Sequence, residues 1–196
     1  MSEGFQMLVD QDVKIEDARD LLARVLHRYR EDGLIIGEAH AACVLGGEGY
    51  RPGPAIPKLY KLKKSEIPFW ELETCGIEPQ VGRSFNYWAY GPSCEGFSCP
   101  LCNAGYAPGD ERVSDRFSDA VSQWVQESGP ALVRCAACAG EVPLVEWLWQ
   151  PPLGFGNLSF TFWNWPSLSS PGWRISVQEI TEQATGHKLV CTYGRI

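Results

Sequence analysis

Cys99-Pro-Leu-Cys102 and Cys135-Ala-Ala-Cys138 are two C-x2-C pairs separated by 32 residues. A tight turn inside such a pair lets both thiolates point to one side and share a cation, while turn amides donate to the sulfurs. Pro100 fixes φ within the first turn, and Gly105 and Gly140 follow where such turns are expected to relax. Two such turns together supply tetrahedral S4 coordination, with Zn–S distances of about 2.3 Å for zinc. Four thiolates leave no open position, so the chemistry is structural and not hydrolytic. Folding of this segment and metal binding are then expected to be coupled.

Other uses of the thiols compete with this one. A single C-x2-C pair can be a redox dithiol, but a second pair at this separation argues for a shared ion. Free core cysteines are the bland reading, and two pairs in one short segment argue against it. Cys94, five residues before Cys99, could substitute as a ligand, but the two pairs already complete the set. Cys43 and Cys75 carry no motif, and Cys191 fits a small core residue in a strand.

The two pairs resemble a zinc ribbon, the fold group in which two cysteine knuckles sit on hairpins. The resemblance covers about residues 94–148. It implies a structural zinc ion held by Cys99, Cys102, Cys135 and Cys138. The chain departs from the pattern in having Asn103 and Ala139 after the pairs, where glycine is frequent, and in a long helix at 115–127. A rubredoxin-like iron centre uses the same ligand set, and "GYAPGD" at 105–110 is similar to that family. Zinc is preferred to iron because no surface for a redox partner is visible.

Elsewhere, catalytic chemistry is sparse. The three histidines are His27, His40 and His187. His27 lies off the apolar stripe of the first helix, and His187 sits at a turn where it could cap a helix. His40 stands near Cys43, which raises a Cys–His pair. No G-x-S-x-G, P-loop, H-E-x-x-H or dinucleotide glycine pattern is present. The sequence thus leans away from an enzyme, although a dispersed active site leaves no such trace.

Charge narrows the partner. The 196 residues carry a net −7. Residues 94–150 hold eight acids against three bases, Arg112, Arg116 and Arg134. Phosphate-backbone binding needs clustered Lys and Arg, so nucleic acid is disfavoured for this segment and a basic protein partner is favoured. Lys58, Lys61, Lys63 and Lys64 read as a solvated face. No apolar run approaches the roughly 20 residues that span a bilayer, and the acidic N-terminus does not resemble a signal peptide. A reducing cytoplasm is the expected compartment, with eight cysteines serving as ligands or free thiols.

These residues need elements to position them. Phe5–Val9 reads as a strand. Asp10 or Asp12 offers a cap for a helix whose stripe is Ile15, Ala18, Leu21, Leu22, Val25, Leu26 and Tyr29, ending near Gly33. Residues 34–57 read as a loop-rich connection, and 83–91 as an aromatic strand. Ser114 is expected to cap a helix with Phe117, Ala120, Val121, Trp124 and Val125 inward, stopped at Gly129-Pro130. Residues 131–135 and 141–149 read as a hairpin around the second cysteine pair.

Leu158, Phe160 and Phe162 alternate with polar neighbours and predict a strand over 157–163. Ser170-Pro171-Gly172 opens a helix bearing Ile175, Val177, Ile180 and Ala184, closed by Gly186 and followed by a strand at 189–193. Continued alternation would place Trp163 and Trp165 together, opposite Phe160 and Phe162. With Trp147 and Trp149 they would form an apolar binding patch unless helices or the cysteine segment cover them.

The expected architecture is α+β: a small sheet with helices packed on one face, plus an inserted zinc-ribbon-like subdomain. Residues 1–93 form the N-terminal α+β portion, 94–150 the subdomain with one helix, and 151–196 the strand-helix-strand that completes the domain. The function this favours is a non-catalytic, metal-stabilised protein-interaction module. Charge and size suggest an accessory protein, or an immunity-type protein that neutralises a basic partner. The alternatives are a zinc-ribbon nucleic-acid-binding protein and an enzyme with a dispersed site.

Overall fold

A computed structural model describes residues 3–64, 66–86, 94–126 and 131–196. Four helices and eleven strands lie among them. In chain order they are β1 (Gly4–Asp10), α1 (Ala18–Glu31), β2 (Ile35–His40), β3 (Gly49–Pro52), α2 (Ile56–Leu59), β4 (Gly76–Ser84), β5 (Gly96–Ser98) and β6 (Gly105–Tyr106). There follow α3 (Ser114–Val125), β7 (Leu132–Arg134), β8 (Glu141–Pro143), β9 (Leu148–Gln150), β10 (Gly156–Trp163), α4 (Val177–Thr185) and β11 (Leu189–Arg195).

Six strands form an antiparallel sheet in the order β11-β1-β10-β4-β3-β2. The alternation of β10 decides what it buries. Leu158, Phe160 and Phe162 are fully buried under α1 and α4, in one core with Leu8, Val25, Tyr29, Ile77 and Val177. Tyr29 packs edge-on to Phe160, with ring centroids 6.0 Å apart, and its hydroxyl meets Thr181 Oγ1 at 2.5 Å. That hydrogen bond ties α1 to α4 inside the core. The fold is therefore mixed α+β with a small sheet, as expected. Among the described residues no helix is long and apolar enough to cross a membrane.

Several boundaries differ from expectation. Asp10 does not cap α1. Its carboxylate accepts the N–H groups of Asp12 and Val13 at 3.1 and 3.0 Å, closing a local turn, and the helix starts at Ala18. Ile15 consequently lies outside the helix and is exposed. Residues 34–57 hold two strands instead of one long loop. β2 and β3 are short and their pairing is bulged between Ile36 and His40, so no alternation betrays them.

β4 begins at Gly76, earlier than the expected strand, whose residues 87–91 lie outside the described residues. Ser114 is the first residue of α3 and not its cap, and the proposed stop at Gly129-Pro130 also lies outside the described residues. α4 is opened by Ser176, whose side chain accepts Glu179 N–H, and not by the Ser-Pro-Gly before it. Gly186 closes α4 at φ +81, in the left-handed region that glycine tolerates.

The tryptophans do not share a face. Asn164 sits at φ +56 and breaks the alternation. Trp163 packs on Phe5 on the side of the sheet away from α1 and α4. Trp165 turns back to stack on Trp173 and meet Phe162. Both are buried, as are Trp147 and Trp149 in a separate cluster. The apolar patch raised by the sequence is thus covered.

That separate cluster surrounds the cysteines. β6-β5-β9 form a three-stranded sheet, and β7-β8 a hairpin. Phe97 pairs across strands with Tyr106 and Trp149, so all three side chains share one face. Phe117 of α3 closes that face, with its ring 4.4 Å from Phe97 and 4.9 Å from Trp147. The chain leaves the large sheet beyond Ser84 and returns at Gly156, and these two residues are paired neighbours on β4 and β10.

Candidate metal centre

The two cysteine turns are built alike. In the first, Cys99 N–H donates to Ala104 O at 3.0 Å, and Asn103 N–H to Cys99 O at 2.9 Å. In the second, Cys135 N–H donates to Gly140 O at 2.9 Å, and Ala139 N–H to Cys135 O at 3.0 Å. Asn103 and Ala139 both adopt φ +59. The left-handed position therefore falls directly after each pair and not at Gly105 or Gly140. Asparagine tolerates that conformation; alanine does so at a cost of roughly 1–2 kcal/mol.

Each turn is carried by a hairpin, β5-β6 or β7-β8, and the hairpins bring the four sulfurs together. Cys99, Cys102, Cys135 and Cys138 Sγ all lie within 4.8 Å of one another. Cys99 Sγ stands 4.0 Å from Cys138 Sγ, and Cys102 Sγ 3.7 Å from Cys135 Sγ. Tetrahedral coordination with Zn–S bonds of about 2.3 Å puts sulfurs about 3.8 Å apart. The cluster therefore fits a metal ion held by four thiolates. Cys99 and Cys135 are buried, whereas Cys102 and Cys138 are exposed, so the centre lies at the protein surface.

One residue outside the motif reaches the sulfurs. Tyr106 Oη accepts Ala137 N–H at 3.1 Å, which directs its own hydrogen to Cys135 Sγ, also at 3.1 Å. Burial alone would raise the Cys135 thiol. Tyr106, the backbone N–H groups of Cys138 and Ala137, and the Cys138 thiol outweigh burial and draw it down to about 6. Cys102 is lowered by the Ala104 backbone, but burial and the three neighbouring sulfurs outweigh this and push it up to about 12. Both sulfurs must be thiolates to coordinate a cation, so metal binding at this centre is coupled to proton release. Tyr106 carries no sequence signature that would single it out.

The remaining candidates are not drawn into the cluster. Cys94 Sγ faces Gly96 O at 3.9 Å, and the Cys43 thiol donates to the main-chain oxygen of His40 at 3.6 Å, not to its imidazole. Burial pushes Cys43 up, away from thiolate character. Cys191 is half-buried on β11. His27 is exposed, 3.3 Å from Glu31. His187 caps no helix; its Nδ1 lies 2.8 Å from Oδ2 of the fully buried Asp10, tying the end of β1 to the turn before β11.

No family model matches this chain, nor does any curated protein or solved structure. The four-sulfur centre therefore stands on its own geometry and donor chemistry.

The acidic character of the segment lies partly in α3 and the loop before it. Glu111, Asp115 and Asp119 are exposed. Asp110 is not a free charge: Arg112 Nη2 lies 2.6 Å from its Oδ2, and this pairing holds its carboxyl down at about 2.

Proposed function

We propose that Cys99, Cys102, Cys135 and Cys138 bind one structural zinc ion in a zinc-ribbon-like subdomain, residues 94–150. That subdomain would be inserted between residues 1–93 and 151–196, which together supply the large sheet. The observation that carries this reading is the meeting of four sulfurs at tetrahedral spacing from two hairpins of like backbone. Bound there, zinc would cross-link the hairpins and has no vacant position for substrate. A reducing compartment such as the cytoplasm suits four unbridged thiols.

The subdomain so held serves as a non-catalytic interaction module for a basic protein. Its net negative charge and the exposed Glu111, Asp115 and Asp119 support that partner over nucleic acid. An accessory or immunity-type role fits the same features.

Metal analysis of protein purified without added metal tests the centre. One zinc per chain is expected, falling to none in Cys99→Ser/Cys135→Ser. Bound iron, or no metal near one equivalent, would refute it. The surface is tested with a basic protein captured from the native cell. The triple reversal Glu111→Lys, Asp115→Lys, Asp119→Lys should weaken its binding at least tenfold, and unchanged affinity would remove the proposed face.

A further inference from the structure

β11 closes the six-stranded sheet and, among the described residues, has a strand neighbour on one side only. Its pairing with β1 decides which backbone groups face outward. Ile196 and Glu3 exchange both main-chain hydrogen bonds at 2.9 Å. In an antiparallel ladder such exchanging pairs recur at every second residue. Gly194, Thr192 and Val190 therefore bond to β1, opposite Phe5, Met7 and Val9. Leu189, Cys191, Tyr193 and Arg195 turn their N–H and C=O groups away from it.

Leu189 is already satisfied by α4. Its N–H donates to Glu182 Oε1 and its C=O accepts from Gln178 Nε2, both at 3.1 Å. The bare stretch is then Cys191, Tyr193 and Arg195, with three donors and three acceptors that meet no partner among the described residues. Rows of this kind template further strand pairing unless they are blunted. The opposite edge is blunted: β2 breaks register between Ile36 and His40, and Gly37 sits at φ +76. β11 has no bulge, no proline and no charge between Lys188 and Arg195, and Tyr193 is 62% exposed.

We propose that β11 pairs with β11 of a second copy of this chain, antiparallel, about a two-fold axis through Tyr193. The bare stretch is symmetric about its own middle. Cys191 would face Arg195 of the second copy, Tyr193 its counterpart, and Arg195 the second Cys191. Each of these is an exchanging pair, so every bare group is used and none is left over. Sliding the register toward Leu189 would set an outward residue against groups that Glu182 and Gln178 already hold. An open groove of about 630 Å³, lined by Gln6, Ser167, Tyr193 and Arg195, lies beside this end of the strand.

Sedimentation and light scattering on the full chain test the proposal. A mass near twice 21.8 kDa is expected at high micromolar concentration. Tyr193→Pro removes an outward N–H and no bond to β1, a placement that edge strands accept. Tyr193→Lys sets like charges on the axis. Either variant should raise the dimer dissociation constant at least tenfold. Amide exchange supplies the control. Cys191, Tyr193 and Arg195 amides should be protected in the dimer and lose protection on dilution, while Val190 and Thr192 stay protected in dimer and monomer alike. Should the proline variant unfold, the lysine variant and the wild-type exchange pattern decide. Three results would overturn the proposal: a monomer at several hundred micromolar, a dimer indifferent to Tyr193→Lys, or a dimer whose three outward amides exchange freely.

Discussion

Tyr106 Oη and Cys135 Sγ stand 3.1 Å apart, and that contact crosses from the first cysteine hairpin to the second. It joins the two halves of the centre through protein atoms alone. Tyr106→Phe keeps the ring, which stacks on Phe97 at 5.8 Å, and removes the donor. Partners of this kind are worth about 10–100-fold in metal affinity. Competition with a chromophoric chelator should therefore show zinc affinity falling by about tenfold or more, with little change in the far-ultraviolet spectrum.

Ala139 holds φ +59 without the benefit of a glycine. Ala139→Gly relieves this at a site where the backbone is already committed, and should stabilise the metal-loaded protein by about 1 kcal/mol. For a chain of this size that corresponds to a rise in Tm of roughly 2–4 °C. Asn103→Gly should gain less, because asparagine visits that region more readily. Thermal unfolding followed by Trp fluorescence reads both.

Asp110 tests the electrostatics of the loop before α3. Hydrogen bonds from the Arg112 side chain and backbone depress its folded value from 3.8 to about 2. A depressed carboxyl contributes stability above its unfolded value and loses it as pH falls from about 4 toward 2. Arg112→Ala should return the Asp110 titration, followed by carboxyl carbon NMR, toward 3.8, and should flatten the pH dependence of unfolding in that window. An unmoved midpoint would show that the guanidinium does not hold the carboxylate.

Asp10 is fully buried and its carboxylate serves two backbone N–H groups and His187. Asp10→Ala would strand buried donors and leave the imidazole without its partner. Such losses cost about 2–4 kcal/mol in sum. Denaturant unfolding should show a lowered midpoint with an unchanged m-value.

The parts that were legible in the sequence are those with a repeating signal. Leu158, Phe160 and Phe162 alternate because one face of β10 is core, and Leu21, Val25 and Tyr29 recur because α1 lies on that core. The cysteine pairs announced themselves by spacing, and the four sulfurs do converge. β2 and β3 were illegible because Gly46, Gly47, Pro52 and Pro54 punctuate them like a loop, while pairing to β4 supplies the order that local pattern lacks. Alternation places Trp165 on the wrong side because it cannot anticipate a single residue, Asn164, at positive φ. Tyr106 and the Asp10–His187 pair were beyond reach for the same reason: each joins residues whose partnership exists only after the chain has folded.

The pairing of Ser84 with Gly156 has an engineering consequence. Two facing residues on adjacent antiparallel strands are natural stems for a short hairpin turn. The stretch between them therefore leaves and rejoins the sheet like a cartridge whose two leads emerge side by side, with further clips where Arg83 of β4 lies over Trp124 of α3 and Asn86 donates to Thr192 of β11. A designer swapping that cartridge would keep the wiring of β1, β10 and β11 but would have to refit those two clips.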